Sequence, residues 1–230
     1  MNFTANDVED MIADQRGYYF TGVTKSADFR IAQLQRLKSA IQAHEDDIIE
    51  ALQIDLGKSE FEGYATEVGF VLDSIGYMTK HLEDWMKPEQ VKTPIHLQPA
   101  KSFVIREPYG SVLVIGPFNY PFQLVMEPLI GALASGNCAV VKPSEATPNV
   151  ARILRTILEE SFQPHYVRVV EGEREEVTAL IHASFDYIFF TGSVPVGKVV
   201  MKAASERLTP ITLELGGKSP AIVDFDQSTA

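Results

Sequence analysis

The sequence predicts an α/β fold in which a helical N-terminal layer precedes a doubly wound parallel sheet. Three observations predict it. Up to about Trp85, apolar side chains recur at helical spacing. From Ser111 onward, short β-rich runs alternate with helical stretches, which implies parallel strands with helices on both faces. Between these regions Pro88, Pro94 and Pro99 interrupt both patterns.

Within the first region, Ser26 or Asp28 can cap a long helix carrying Ile31, Leu34, Leu37, Ile41, Ile48, Ile49 and Leu52 on one side. Gly57 permits a turn, and Ser59 with Glu62 has capping-box spacing. A second helix is expected from about Glu60 to Trp85, with Phe61, Val68, Val71, Leu72, Ile75, Met78 and Leu82 on its apolar side. Lys101–Glu107 alternates loosely and predicts a strand leading out of the helices. The later strands are expected at Val112–Ile115, Ala139–Lys142, Val167–Glu171, Tyr187–Phe190 and Ile211–Leu213. Helices are expected between them, near Gln123–Ala134, Pro148–Ser161, Arg174–His182 and Pro195–Arg207. Thr147-Pro148 offers an N-cap followed by proline at the first helical position.

Composition narrows the function. At 45% hydrophobic and 22% charged residues, the 230-residue chain is an ordinary globular sequence. A net charge of −11 opposes nucleic acid or an anionic membrane as partner. One cysteine, Cys138, excludes an intrachain disulfide and a Cys-rich zinc site, and five scattered histidines show no metal-ligand spacing. This usage fits a reducing, cytoplasmic setting. The acidic N-terminus has no apolar run of the secretory kind. Between Tyr109 and Val141 the only charge is Glu127, but glycines and prolines break the stretch into two buried strands and a helix rather than a membrane span.

In a parallel sheet, ligands bind beyond the carboxyl ends of the strands, so the loops there hold the candidate chemistry. Thr191-Gly192-Ser193-Val194-Pro195-Val196-Gly197 joins a strand to a helix. Gly192 admits a close ligand, Ser193 can cap the helix, and the free N–H groups favour a phosphate; Gly197 allows close packing. A plain helix cap explains the same residues, and the G-x-G-x-x-G pattern is absent. Lys142-Pro143-Ser144-Glu145 sets a cation and a carboxylate where a ribose could be held, or forms a solvated ion pair. Asn119, between Pro117 and Pro121, is either an oxyanion donor or a turn residue. Glu214, among apolar residues and glycines, is either a general base with a raised pKa or a buried structural carboxylate. Cys138 starts its strand at the opposite end and is expected to be a small buried residue rather than a nucleophile.

Taken together the loops resemble the aldehyde dehydrogenase superfamily, with a class 3 character, over the N-terminal part only. The resemblance rests on Glu107-Pro108-Tyr109-Gly110, Pro117-Phe118-Asn119-Tyr120-Pro121, Lys142-Pro143-Ser144-Glu145, Phe190-Thr191-Gly192-Ser193 and Leu213-Glu214-Leu215-Gly216-Gly217-Lys218-Ser219-Pro220, in that order. It implies a Rossmann-like domain that binds NAD or NADP, and a small-molecule aldehyde as substrate. By resemblance Asn119 would hold the oxyanion, and Lys142 and Glu145 the adenosine ribose. Gly192 and Ser193 would lie at the pyrophosphate, Val196 on the adenine, and Glu214 would be the general base.

The resemblance also implies a layout: residues 1–88 helical, 89–108 an oligomerisation segment with an unpaired edge, 109–224 the cofactor domain, and 225–230 the start of a catalytic domain. The family's nucleophilic cysteine would lie beyond Ala230, and the complete enzyme would be a homodimer. The 230 residues alone are therefore expected to be inactive. A non-catalytic dinucleotide-binding module and a complementing half-subunit are the alternatives.

Overall fold

The computed structural model describes residues 4–223. The segment 225–230, expected to begin a further domain, lies outside the described residues. Helix α1 (Ala5–Phe20) starts on a reciprocal cap: the Thr4 hydroxyl accepts the Asp7 N–H, and the Asp7 carboxylate accepts the Thr4 N–H at 2.7 Å. Ser26, of the two expected caps, opens α2 (Ala27–Ala43) by accepting from the Phe29 N–H. The long helix expected to run on through Leu52 is broken at His44, and α3 spans Glu45–Leu56. Three acidic residues, Glu45, Asp46 and Asp47, occupy the first turn of α3, where the helix dipole favours them. That acidic run marks a helix start locally, although the apolar spacing continues across it.

Gly57 ends α3 at φ 69°, and Ser59 caps α4 (Glu60–Gly63) by accepting the Glu62 N–H. Next, α4 passes through a π turn at Tyr64–Val68 into α5 (Gly69–Trp85). The extra residue in that turn shifts the inward face. Val71, Leu72, Ile75 and Leu82 are buried as expected, whereas Phe61, expected on the same face, is 82% exposed. Strand β1 (Glu89–Val91) pairs antiparallel with β2 (Ser102–Val104). The strand expected over Lys101–Glu107 is thus only three residues long, and it is paired on one edge, helped by Arg106–Glu89 at 3.0 Å.

The main sheet follows: β3 (Ser111–Ile115), α6 (Gln123–Ser135), β4 (Cys138–Lys142), α7 (Pro148–Ser161), β5 (Val167–Val169), α8 (Arg174–Ile181), β6 (Tyr187–Gly192), α9 (Val194–Arg207) and β7 (Ile211–Leu215). All strands are parallel in the order β5-β4-β3-β6-β7. The chain therefore winds one way from β3, returns to lay β6 beside β3, and winds the other way. β6 and β7 extend beyond their expected ends, to Gly192 and Leu215, because Thr191↔Glu214 and Gly192↔Leu215 continue the ladder.

Alternating strand residues build two cores. On one face Val112, Ala139, Val141 and Val167 pack with α2, α5, α6 and α7 through Leu37, Ile75, Leu129 and Leu154. On the other, Leu113, Ile115, Val140 and Phe190 pack with Ile12 of α1, Leu180 of α8 and Val200 of α9. The helical region is therefore not a single layer, since α1 crosses to the opposite face. Both faces are apolar, so both need cover. Polar bonds fix α1 there: Gln15 Nε2 donates to the Ala139 carbonyl at 2.9 Å, and Arg16 pairs with Asp186 at 3.0 Å. Asp186 in turn accepts the Ser111 N–H at 2.8 Å.

Pro148 is the first residue of α7, but Thr147 does not cap it. Asp55, at the end of α3, accepts the Asn149 and Val150 N–H groups at 2.9 Å each, and the Thr147 hydroxyl is buried without a partner. Asp55→Ala is expected to cost about 1–2 kcal/mol, the worth of a good cap. Thr147→Val should be neutral or stabilising, because it removes an unsatisfied buried hydroxyl. Urea unfolding of the two variants checks both signs.

At the α2–α3 break, His44 Nδ1 lies 2.9 Å from Asp47 and Nε2 lies 2.9 Å from Glu160 of α7. The hydrogen bond to Asp47, then that to Glu160, raises the imidazole pKa above its ordinary 6.5. A raised folded-state pKa gives stability that is complete below the unfolded value and is lost as pH rises through the folded one. Wild type should lose urea resistance over that window relative to His44→Gln, whose difference from wild type should shrink toward alkaline pH.

Candidate active site

The strand order has a switch point between β3 and β6, from which the chain leaves in opposite directions. Open α/β sheets bind ligands in the crevice at such a point. Gly116, just after β3, donates its N–H to the Lys142 carbonyl at 3.1 Å. A Cβ on Gly116 would sit 2.1 Å from Val125 Cγ2, so only glycine lets α6 lie this close to the strand end. The chain from Pro117 to Pro121 then carries Asn119. It is exposed, and its side chain makes no hydrogen bond among the described residues. Phe118 and Asn119 are the exposed part of this loop, whereas Tyr120 is half-buried and Pro121 buried.

At the end of β4, Lys142 is almost completely buried, and its ammonium donates to the Pro143 carbonyl at 2.7 Å and to Glu145 at 3.2 Å. Glu145 has a side chain 57% exposed. Burial alone would raise its carboxyl pKa; a backbone N–H and the Lys142 ammonium outweigh that and hold it below the usual range. The pair is therefore not a solvated surface bridge: a desolvated cation faces a carboxylate open to water. The Ser144 hydroxyl accepts the Ala146 N–H at 3.2 Å, which spends it on the turn. A groove of about 240 Å³ runs beside Ser144 and Glu145 toward Glu173.

At the end of β6, Ser193 caps α9 and accepts the Val196 N–H, while Val194 and Val196 stand exposed on the first turn. Gly192 lies in the strand rather than in the loop. Gly197 packs as expected, since a Cβ there would come within 2.7 Å of Leu215 Cδ2. Lys142, Glu145, Gly192, Ser193, Val196 and Gly197 all lie at the carboxyl end of the sheet.

Glu214 departs most from expectation. It lies inside β7 opposite Thr191 and is exposed, not desolvated among apolar residues. The cause is its place on the last strand, with no described element over that face. Glu214 lines an open cleft of about 1110 Å³ together with Val114, Phe189, Thr191 and Leu124, bordered by Trp85 and Tyr109. No hydrogen bond links Glu214 to Asn119 among the described residues.

The sequence motifs overlooked three charged groups near this end. Glu127 of α6 lines the cleft; burial raises its carboxyl pKa, opposed by a hydrogen bond from Ser74, and its Oε1 is buried without a partner. Lys58 and Glu67 form a buried ion pair against the start of α6. Glu67 had no motif to betray it; the one signal was an acidic residue inside an otherwise apolar helical face. Cys138 is buried at the start of β4, remote from all of these, and burial, then the nearby Asp14 charge, pushes its thiol up to about 12. Among the described residues, no three His, Cys, Asp or Glu side chains cluster as a metal site, and no helix is long and apolar enough to cross a membrane.

The chain is similar to known aldehyde dehydrogenases over most of its length. The chain is 54% identical to 4,4'-diaponeurosporen-aldehyde dehydrogenase of Staphylococcus aureus, over 95% of this chain and 48% of that protein. It is 43% identical to aldehyde dehydrogenase family 3 member H1 of Arabidopsis thaliana, over 97% and 46%. It is 42% identical to the dimeric NADP-preferring aldehyde dehydrogenase of Canis lupus familiaris, over 95% and 48%. Among solved structures, the substrate-bound state of Staphylococcus aureus AldH superposes with a TM-score of 0.91 at 54% identity, covering 97% of this chain and 48% of that one. Betaine aldehyde dehydrogenase of the same species, in complex with NAD+, superposes at 0.83 and 30% identity, over 94% and 44%. The chain spans about half the length of the curated relatives it matches. The family model described as "Aldehyde dehydrogenase family" matches residues 1–229, and the chain belongs to that family.

Proposed function

We propose that these residues form the cofactor-binding half of an enzyme that oxidises aldehydes to carboxylic acids with NAD or NADP. The observation that carries this reading is the buried Lys142 paired with the exposed Glu145 at the end of β4, at the same sheet end as the α9 N-terminus at Ser193. A desolvated cation at a strand end costs free energy unless it has work for its donors. Here it uses two, leaving one N–H bond of the ammonium for a ribose hydroxyl. The α9 N–H groups suit a pyrophosphate. A relative crystallised with NAD+ and another named as NADP-preferring support either cofactor.

In this reading Lys142 and Glu145 hold the adenosine ribose, Gly192 and Ser193 flank the pyrophosphate, and Val196, exposed on α9, packs on the adenine; Ser144 shapes the turn and Gly197 seats the helix on β7. The cofactor, when bound, supplies the hydride acceptor. Asn119 donates its side-chain amide to the aldehyde oxygen as negative charge develops there. Glu214 takes a proton from a thiol, gives it up to solvent, and then takes one from the water that releases the acid. The sulfur nucleophile bonds to the aldehyde carbon, hydride departs, and water cleaves the resulting thioester to acid and thiol. That nucleophile is supplied from outside these 230 residues, because Cys138 is buried at the wrong end of the sheet. The residues 89–108 serve assembly as a homodimer, and a cytoplasmic setting fits the free thiol of Cys138.

Titration calorimetry of the purified chain with NAD and with NADP tests the reading. Binding is expected with at least one. No heat of binding at millimolar cofactor would overturn it. A second reading, a half-subunit that pairs with a separate polypeptide, is favoured by the open cleft that holds Glu214. It expects dehydrogenase activity to appear on adding that polypeptide and not before.

A further inference from the structure

We propose that Glu67, secured by Lys58, is the positioning residue for the Asn119–Tyr120 loop; this rests on the reading of Asn119 as the oxyanion donor. The Glu67 side chain is completely buried. One carboxylate oxygen meets Lys58 Nζ at 2.5 Å. The other accepts two backbone N–H groups, from Phe122 at 2.9 Å and Gln123 at 3.0 Å. Those donors belong to the free first turn of α6, where a carboxylate is favoured by the unpaired N–H groups and the helix dipole. Lys58 adds a second hold, its Nζ lying 3.9 Å from the centroid of the Tyr120 ring.

These contacts fix the chain at Tyr120, Phe122 and Gln123, one to four residues after Asn119. On the other side of Asn119, Gly116 is fixed by its hydrogen bond to Lys142 and its close approach to Val125. The Asn119 side chain itself makes no hydrogen bond among the described residues, so its placement comes through these backbone anchors. The π turn at Tyr64–Val68 belongs to the same device: Glu67 and Val68, adjacent in sequence, are both completely buried. Val68 joins the apolar core, and Glu67 turns to α6. A glutamine at position 67 would keep the shape but face the Lys58 ammonium with a weaker, neutral acceptor.

The test uses the 15N-labelled 230-residue chain as wild type, Glu67→Gln, and the double variant Glu67→Gln with Lys58→Met. In Glu67→Gln, amide exchange at Phe122 and Gln123 is expected to accelerate by at least about tenfold, as local opening becomes easier. The Asn119 backbone amide should exchange faster with them, its signals moving toward random-coil positions as the anchors loosen. The double variant removes the unpaired buried cation and should recover most of the lost Tm, yet exchange and the Asn119 signals should stay altered. A role confined to stability predicts that Tm, exchange and the Asn119 signals recover together. That recovery, or unchanged protection in Glu67→Gln, overturns the proposal. If Glu67→Gln does not fold, the double variant carries the comparison. Cofactor calorimetry on the wild type is read separately, so absence of NAD binding would defeat the functional reading without changing the exchange result.

Discussion

Purified 230-residue chain, incubated with NAD and benzaldehyde, is expected to make no NADH at steady state. The reason is chemical. Aldehyde oxidation of this kind needs a thiolate, and the only sulfur nucleophile in the sequence is Cys138. Its thiol is completely buried and pushed up to about 12. At pH 7.5 the thiolate fraction is then on the order of 1 in 10⁴–10⁵. It also sits at the amino end of β4, paired with Ser111 at the amino end of β3, whereas Asn119 and Glu214 stand at the carboxyl ends of their strands. Two measurements check this. Absorbance at the NADH band should stay flat, and a thiol reagent should label Cys138 only on unfolding. Steady turnover, or rapid labelling of the native chain, would show the assignment to be wrong.

Lys142→Met is expected to weaken NAD binding by at least about tenfold, or about 1.4 kcal/mol, while the chain stays folded at a modest cost in stability. Methionine keeps most of the buried stem, so little packing is lost. The lost ammonium leaves Glu145 without its cation, but that carboxylate is largely exposed and water can solvate it. The Pro143 carbonyl loses one donor, a cost of about 1–3 kcal/mol if water cannot reach it. Affinity should fall through the ribose and not through the pyrophosphate, so Ser193→Ala should add independently to the loss. Calorimetry on the single and double variants measures both. Equal affinity in Lys142→Met and wild type would remove Lys142 from the binding site.

Much of the architecture is written locally. The alternation of β-branched runs with capped helices placed every strand and helix from β3 to β7, with ends wrong by a residue or two. Proline and glycine did the punctuation: Pro148 at the first turn of α7, Gly57 after α3 and Gly136 after α6, the latter at φ 91°. Apolar spacing alone could not show that His44 divides a helix, that a π turn moves Phe61 to the surface, or that Asp55 rather than Thr147 caps α7. His44 meets Glu160 and the α7 N-terminus meets Asp55, partners distant in the chain, and the π turn changes the helical phase between Phe61 and the residues that follow.

The site divides the same way. By itself the sequence determined which side chains stand at the carboxyl ends of the strands, because strand direction and loop position follow from the order of elements. It also determined that Cys138 enters at the opposite end. Only the tertiary structure decided their environments. Lys142 is buried while Glu145 is open, Asn119 and Glu214 are exposed, and Glu67 reaches across 55 residues to the start of α6. Desolvation and long-range hydrogen bonds are properties of what packs against a group, and residue order does not encode them locally.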